Sequence, residues 1–243
     1  MSLTACEKEI FNRILKEELV PATGCTEPVA IAYAAAAAKK ALGCEPEVCE
    51  AELSGNIIKN ARCVAVPNTG GLKGIEAAVA AGVVAGRAEL ALDVLSAATG
   101  REEEICYFLE KRGVSVRPAD NDLTFFIRVT VGAGSSRAKA VIEGFHTNLV
   151  LIEKDGRELF RSGAKSNPCC VADRSMLTVE KIVEFADVAD LAEIREILER
   201  QIAFNSAISE EGLKGDWGAN VGKVILKTFG DSPESRLKAV AAA

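Results

Sequence analysis

From Val29 to Ala38 the chain reads V-A-I-A-Y-A-A-A-A-A, and Lys39 and Lys40 close the run. Alanine has the highest helix propensity, and a helix built of methyl groups presents a smooth side that a second backbone can approach closely. The run therefore predicts a buried helix with Thr26 as N-cap, Pro28 in the first turn and an end near Leu42 and Gly43. It is too short for a membrane span, which needs about 20 apolar residues. The chain has 243 residues, 49% of them hydrophobic, so it can bury a sizeable core around such a helix, as one large domain or two small ones.

The pattern around the alanine run divides the chain into three segments. Residues 1–113 read as mainly helical and contain the G-C-T-E-P motif; 114–165 read as an antiparallel β segment; 166–243 read as helical again. In the first segment, Ile10, Phe11, Ile14, Leu15 and Leu19 fall at helical spacing over 7–19, stopped by Pro21. V-C-E-A-E-L at 48–53 alternates as a strand, and S-G-N-I-I-K-N-A is ambiguous between a helix and a turn. C-V-A-V-P reads as a strand or extended piece, and helices follow at about 72–85, 88–98 and 101–112. Short alternating runs then predict four to six strands, with K-D-G as a hairpin signal. Further helices are expected at 178–186, 190–210, 218–228 and after Ser232 or Pro233, the last still helical where the sequence stops. Strands segregated from helices predict an α+β fold rather than a doubly wound sheet.

A net charge of −6 without any Lys/Arg run leaves no electrostatic footprint for nucleic acid or an anionic membrane. A small neutral or zwitterionic substrate is the easier partner, and alanine-rich helix surfaces are compatible with a homo-oligomer. The first residues lack the basic and apolar regions of a signal peptide, so a cytoplasmic location is expected. Eight cysteines in such a chain are expected to be free or metal-bound rather than paired, and none forms a C-x-x-C.

Three places carry candidate chemistry. Cys25 lies just before the predicted helix, where free N–H groups and the helix dipole favour a thiolate that could act as nucleophile or metal ligand, although a structural thiol fits the position equally well. Thr23, Thr26 and Glu27 flank it. In V-P-N-T-G-G-L-K-G, Asn68, Thr69, the Gly70 and Gly71 amides and Lys73 could form a nest for a substrate carboxylate, or simply a solvated turn. His146, the single histidine, is placed near a strand end with Asn148 two residues on and so on the same face; it has the intrinsic pKa of a proton shuttle. Lys59, Asn56 and Asn60 are weaker candidates.

P-A-T-G-C-T-E-P-V-A-I-A at 21–32, S-G-N-I-I-K-N-A at 54–61, V-P-N-T-G-G-L-K-G-I at 66–75, G-F-H-T-N at 144–148 and N-S-A-I-S-E-E-G-L at 205–213 occur in that order. On these segments the chain resembles the family containing L-cysteine desulfidase and the serine dehydratase alpha-chain-like proteins, UPF0597-type proteins among them. The resemblance implies a β-eliminating lyase that converts L-cysteine or L-serine to pyruvate and ammonia, with release of sulfide or water, through a 4Fe-4S cluster. It implies Cys25 as a cluster ligand, His146 and Lys73 as catalytic residues, and Thr23, Thr26, Glu27, Asn68, Thr69, Gly70, Gly71 and Asn148 around the substrate. Family members are longer and carry their other cluster cysteines in a helical C-terminal half. This chain is therefore expected to be cut from a longer protein and to lack the cluster on its own; Cys169 and Cys170 do not replace those ligands. Two other readings remain: a non-catalytic amino-acid-binding or regulatory domain, and a pyridoxal phosphate lyase with Lys73 as its Schiff base.

Overall fold

The computed structural model describes residues 3–21, 24–162 and 172–243. The chain forms two compact units, Pro21–Ser166 and Met1–Val20 with Asn167–Ala243. Residues 21–113 of the helical first part thus share a unit with the β segment, whereas residues 1–20 belong with the C-terminal helices.

The first helix, α1 (Ala5–Glu18), begins with a reciprocal cap: Thr4 Oγ1 accepts from the Glu7 N–H at 3.2 Å, and the Glu7 carboxylate accepts from the Thr4 N–H at 2.8 Å. The larger unit follows with α2 (Thr26–Leu42), β1 (Val48–Leu53), α3 (Gly55–Ala61), α4 (Ile75–Ala85), a 3₁₀ turn (Ala88–Asp93) and α5 (Glu102–Lys111). It continues with β2 (Ser115–Pro118), β3 (Phe126–Ala133), β4 (Ser136–Glu143), β5 (Leu149–Lys154) and β6 (Arg157–Arg161). The ambiguous S-G-N-I-I-K-N-A stretch resolves as α3. Val64–Val66 does not become a ladder strand; one isolated antiparallel bridge joins Ala65 to Lys73. The helix expected over 88–98 is interrupted because Ala91 sits at φ 47, outside helical geometry.

The six strands form one sheet in the order β2-β1-β3-β4-β5-β6. The α+β class holds, with one difference from a purely antiparallel segment. Strand β1 enters the sheet from the helical part of the sequence and pairs antiparallel with β3 but parallel with β2. The physical reason lies in the connection: α3, α4 and α5 intervene between β1 and β2, a crossover that parallel neighbours require and a hairpin cannot supply. At the β5–β6 hairpin, Asp155 and Gly156 both have positive φ, the conformation that a two-residue turn of this kind demands.

Ala51, Val129, Ala140 and Ile152 are aligned across β1, β3, β4 and β5, and this apolar row belongs to the core. Helix α2 packs against β3, β4 and β5, and α4 packs on α2. A Cβ added at Gly82 would lie 2.3 Å from the Ala32 carbonyl oxygen, and one at Gly86 would lie 2.7 Å from Ala36 Cβ. The helices therefore meet almost backbone to backbone, the close approach that the alanine run predicts. On the opposite face of β1 the register is polar: Glu52, itself buried, binds Arg117 from β2 and Arg128 from β3.

The second unit contains α1 together with α6 (Val179–Val188), α7 (Leu191–Lys214), α8 (Val221–Phe229) and α9 (Pro233–Ala241). Thr178, Asp190 and Ser232 cap α6, α7 and α9 through their side-chain oxygens. Its buried cluster is small: Leu3, Phe11 and Phe185, the two rings stacked at 4.8 Å, with Leu15, Met176 and Ala189 against them. Lys181 bridges to Glu7 at 2.7 Å, tying α6 to α1. Residues 199–208 of α7 are exposed on every side. No described helix is long and apolar enough to cross a membrane.

Candidate functional site

The entry to α2 is shaped by its glycine. Gly24 has φ +92, and a Cβ there would come within 3.0 Å of Pro67 Cγ, so the G-C-T-E-P loop rests against the start of the Val66–Gly74 turn. Two segments of the sequence singled out for chemistry are thereby adjacent. Cys25 is itself the N-cap residue and makes no capping hydrogen bond; Thr26, expected at that position, is the first helical residue. Its hydroxyl faces Glu27 Oε2 at 3.4 Å.

Glu27 is the hub. The Cys25 thiol donates to Glu27 Oε2 at 3.1 Å, and Asn60 Nδ2 on α3 donates to Oε1 at 3.1 Å. Burial alone would raise the Glu27 carboxyl, but the hydrogen bonds from Cys25, its own backbone and Asn60, with the charge of His146, outweigh burial and hold it below the usual carboxylate range. The effect on Cys25 is the reverse. Burial first, then the carboxylate beside it, pushes the thiol up, so the helix-terminus effect that favours a thiolate loses here. Cys25 is a protonated, hydrogen-bonding thiol at neutral pH in this arrangement.

His146, far from Glu27 in the sequence, is coupled to it only by charge. It sits in the turn between β4 and β5, not in a strand, so the two-residue alternation that would place Asn148 on its face does not apply. Asn148 instead donates from Nδ2 to the Glu143 carbonyl at 2.8 Å and holds the turn closed. The His146 ring packs edge-on against Phe125 at 4.7 Å, and its Nε2 is buried with no hydrogen-bond partner. Burial lowers its pKa while the Glu27 charge opposes that shift; the imidazole is uncharged at neutral pH.

The Val66–Gly74 turn is self-supporting. Val66 N–H donates to the Leu72 carbonyl at 2.8 Å, and buried Thr69 donates its hydroxyl to the Val66 carbonyl at 2.8 Å. Asn68, at φ 59, donates from Nδ2 to the Leu95 carbonyl at 3.1 Å. Gly70 and Gly71 take φ +66 and +92, and a Cβ on Gly70 would lie 2.9 Å from Glu102 Cγ. An acidic side chain therefore packs at the place where a carboxylate nest was expected. Lys73 is exposed and anchored through its backbone to Ala65.

The structure thus brings Cys25, Thr26 and Glu27 together, adds Asn60 as a partner of Glu27, and links His146 to Glu27 through charge alone, its ring contact being with Phe125. Asn56 and Asn60 are both exposed, and Asn60 matters through its contact with Glu27. Phe125 carried no signal in the sequence beyond its place in a predicted strand. Thr23 and the Cys169-Cys170 pair lie outside the described residues.

Among the described residues, no group of three or more His, Cys, Asp or Glu side chains is arranged to hold a metal ion. At this site the donor set is one thiol already engaged by a carboxylate. That set does not fit a 4Fe-4S cluster, whose irons are held by several thiolates.

No protein-family model matches the chain, and no solved structure does. The chain is 46% identical over 237 residues to a UPF0597 protein of Desulfitobacterium hafniense, covering 97% of this chain and 55% of that protein. It is 40% identical over 230 residues to one of Treponema denticola and 42% identical over 233 residues to one of Lachnoclostridium phytofermentans. These alignments cover 93% and 95% of this chain and 53% and 55% of those proteins. The chain therefore spans about half the length of the curated relatives it matches, and the match supports the UPF0597 family. The relatives' names give a family and no reaction.

Proposed function

Taking the chain as a segment related to UPF0597 proteins, we propose that it supplies the proton-handling side of a β-eliminating lyase acting on L-cysteine or L-serine. The observation that carries this reading is the cluster in which the Cys25 thiol and Asn60 both donate to Glu27, with His146, whose buried Nε2 has no hydrogen-bond partner, within electrostatic reach of the same carboxylate. Elimination removes the proton from Cα and expels sulfide or water from Cβ, leaving aminoacrylate, which tautomerises and is hydrolysed to pyruvate and ammonia.

In this reading the α-proton goes to His146, whose Nε2 is buried and has no hydrogen-bond partner. The ionised Glu27 carboxylate then stabilises the imidazolium that forms, and Asn60 keeps the carboxylate oriented. Thr26 and the Cys25 thiol line the same carboxylate and shape the space beside it. Asn68, Thr69, Gly70 and Gly71 belong to the turn whose Pro67 meets Gly24, and Glu102 packed on Gly70 would favour the ammonium end of an amino acid there over its carboxylate. Lys73 stays in the reading as a candidate for contact with the substrate carboxylate from the exposed rim. The cluster that the resemblance implies has no role in this reading, and iron and sulfide enter only as a condition of the test below.

The test is pyruvate release from L-cysteine and L-serine, measured on this chain and on the full-length Desulfitobacterium hafniense protein, each prepared without oxygen and supplied with iron and sulfide. The expected result is turnover by the full-length protein. Replacing His146 by Asn at the aligned position should lower kcat by roughly 10²-fold or more, the range of a general base. Absence of pyruvate from both proteins would overturn the reading.

A further inference from the structure

The middle of α7 carries large apolar side chains that the described residues of its own unit leave exposed. Ile194 is buried, Leu198 half-buried and Ile202 63% exposed, one step of four residues after another. A core-facing stripe thus runs along the helix and continues into solvent. Phe204 and Ile208, one turn apart on a second face, are 51% and 68% exposed. Residues 205–213, one of the segments that carried the resemblance, begin within this stretch. A helix with large apolar side chains bare on two faces is built to be covered.

We propose that this stretch of α7 is the docking surface for the polypeptide that UPF0597 proteins carry beyond the part matched here. The Desulfitobacterium hafniense protein matches 97% of this chain, yet only 55% of its own length is covered, so it holds a comparable amount of additional chain. A segment linked in the same molecule meets the surface at millimolar effective concentration, an advantage that a second copy of this chain lacks. The polar residues Glu199, Arg200 and Glu210 beside the apolar positions form the kind of rim that surrounds such contacts. This inference does not depend on the lyase reading.

Amide hydrogen exchange on this chain and on the full-length Desulfitobacterium hafniense protein tests it. Peptides spanning 199–208 should exchange about tenfold or more faster in this chain than the aligned peptides of the longer protein, with α2 peptides as the slow reference in both. In parallel, Phe204→Asp with Ile208→Asp should leave the unfolding midpoint of this chain unchanged, whereas Asp at the aligned positions should lower that of the longer protein. Strong protection of 199–208 in a monomer of this chain would overturn the proposal, because the cover would then come from its own residues. Protection that grows with concentration alongside a dimer in sedimentation would give the surface to a second copy and overturn it as well. Equally fast exchange in both proteins would leave the surface uncovered and end the proposal.

Discussion

Cysteines divide at the scale of single residues. Cys49 is 2% exposed on the inward side of β1, and burial pushes its thiol up to about 12. Cys6, Cys44 and Cys63 are exposed, and Cys25 lies between, its thiol raised by burial and by Glu27. Alkylation at pH 8 followed by peptide mass mapping should label Cys6, Cys44 and Cys63 first, Cys25 more slowly and Cys49 only on unfolding; early labelling of Cys25 would contradict the described environment. Glu7 gives a second residue-scale expectation. Its hydrogen bonds from Lys181 and from Thr4 hold its pKa at about 2, against 4.5 for the unfolded group. A depressed folded pKa contributes stability above the unfolded value and loses it as pH falls. Glu7→Gln should therefore destabilise the helical unit at pH 5–8, and the difference from the parent should vanish between pH 4.5 and about 2 in urea titrations. The sequence displayed the chemistry of Cys25 and Glu27 because neighbours two apart can be judged locally. It concealed Asn60 as a partner of Glu27, since that contact exists only after α3 folds against the start of α2.

The α2–α4 pair is the element that organises the larger unit. Helix propensity alone favours alanine over glycine at position 82 by about 1 kcal/mol. A Cβ there, however, would stand 2.3 Å from a backbone carbonyl oxygen that no rotamer change can move. Forced overpacking costs roughly 1–3 kcal/mol, so sterics should win and Gly82→Ala should lower the melting temperature. Gly55, which has nothing within 4 Å of an added Cβ, is the control: Gly55→Ala should be neutral or stabilising. Calorimetry on the two variants decides between propensity and packing. Helix α2 was legible because one residue type dominates it, and the strands β3 to β6 because their alternation is regular. The place of β1 was not legible, since nothing local to V-C-E-A-E-L says whether its partners are the next strand or the third. Nor was the break at Ala91, where an alanine occupies a backbone conformation its own propensity disfavours.

For the whole molecule, the contrast between the units sets the order in which structure is lost. The unit Pro21–Ser166 contains an extended core of sheet and helices, whereas the buried cluster of the other unit centres on Leu3, Phe11 and Phe185. Less buried apolar surface means a lower local opening energy. Limited proteolysis should therefore cut within 191–243 before 26–161, and cleavage in the reverse order would contradict this ranking. The larger core has its own peculiarity. Where α2 meets α4, the side chains in contact at Ala32, Ala36, Gly82 and Gly86 are methyl groups or none at all. Such a seam has no volume to give up, so nearly every change that mutation offers there is an enlargement. A saturation library should be lopsided at these four positions, retaining glycine, alanine and serine, while Val129 and Ile142 tolerate both smaller and reshaped residues. Sequence drift in this protein is thus free to rework its sheet but is ratcheted at its helix seam, which can only stay small.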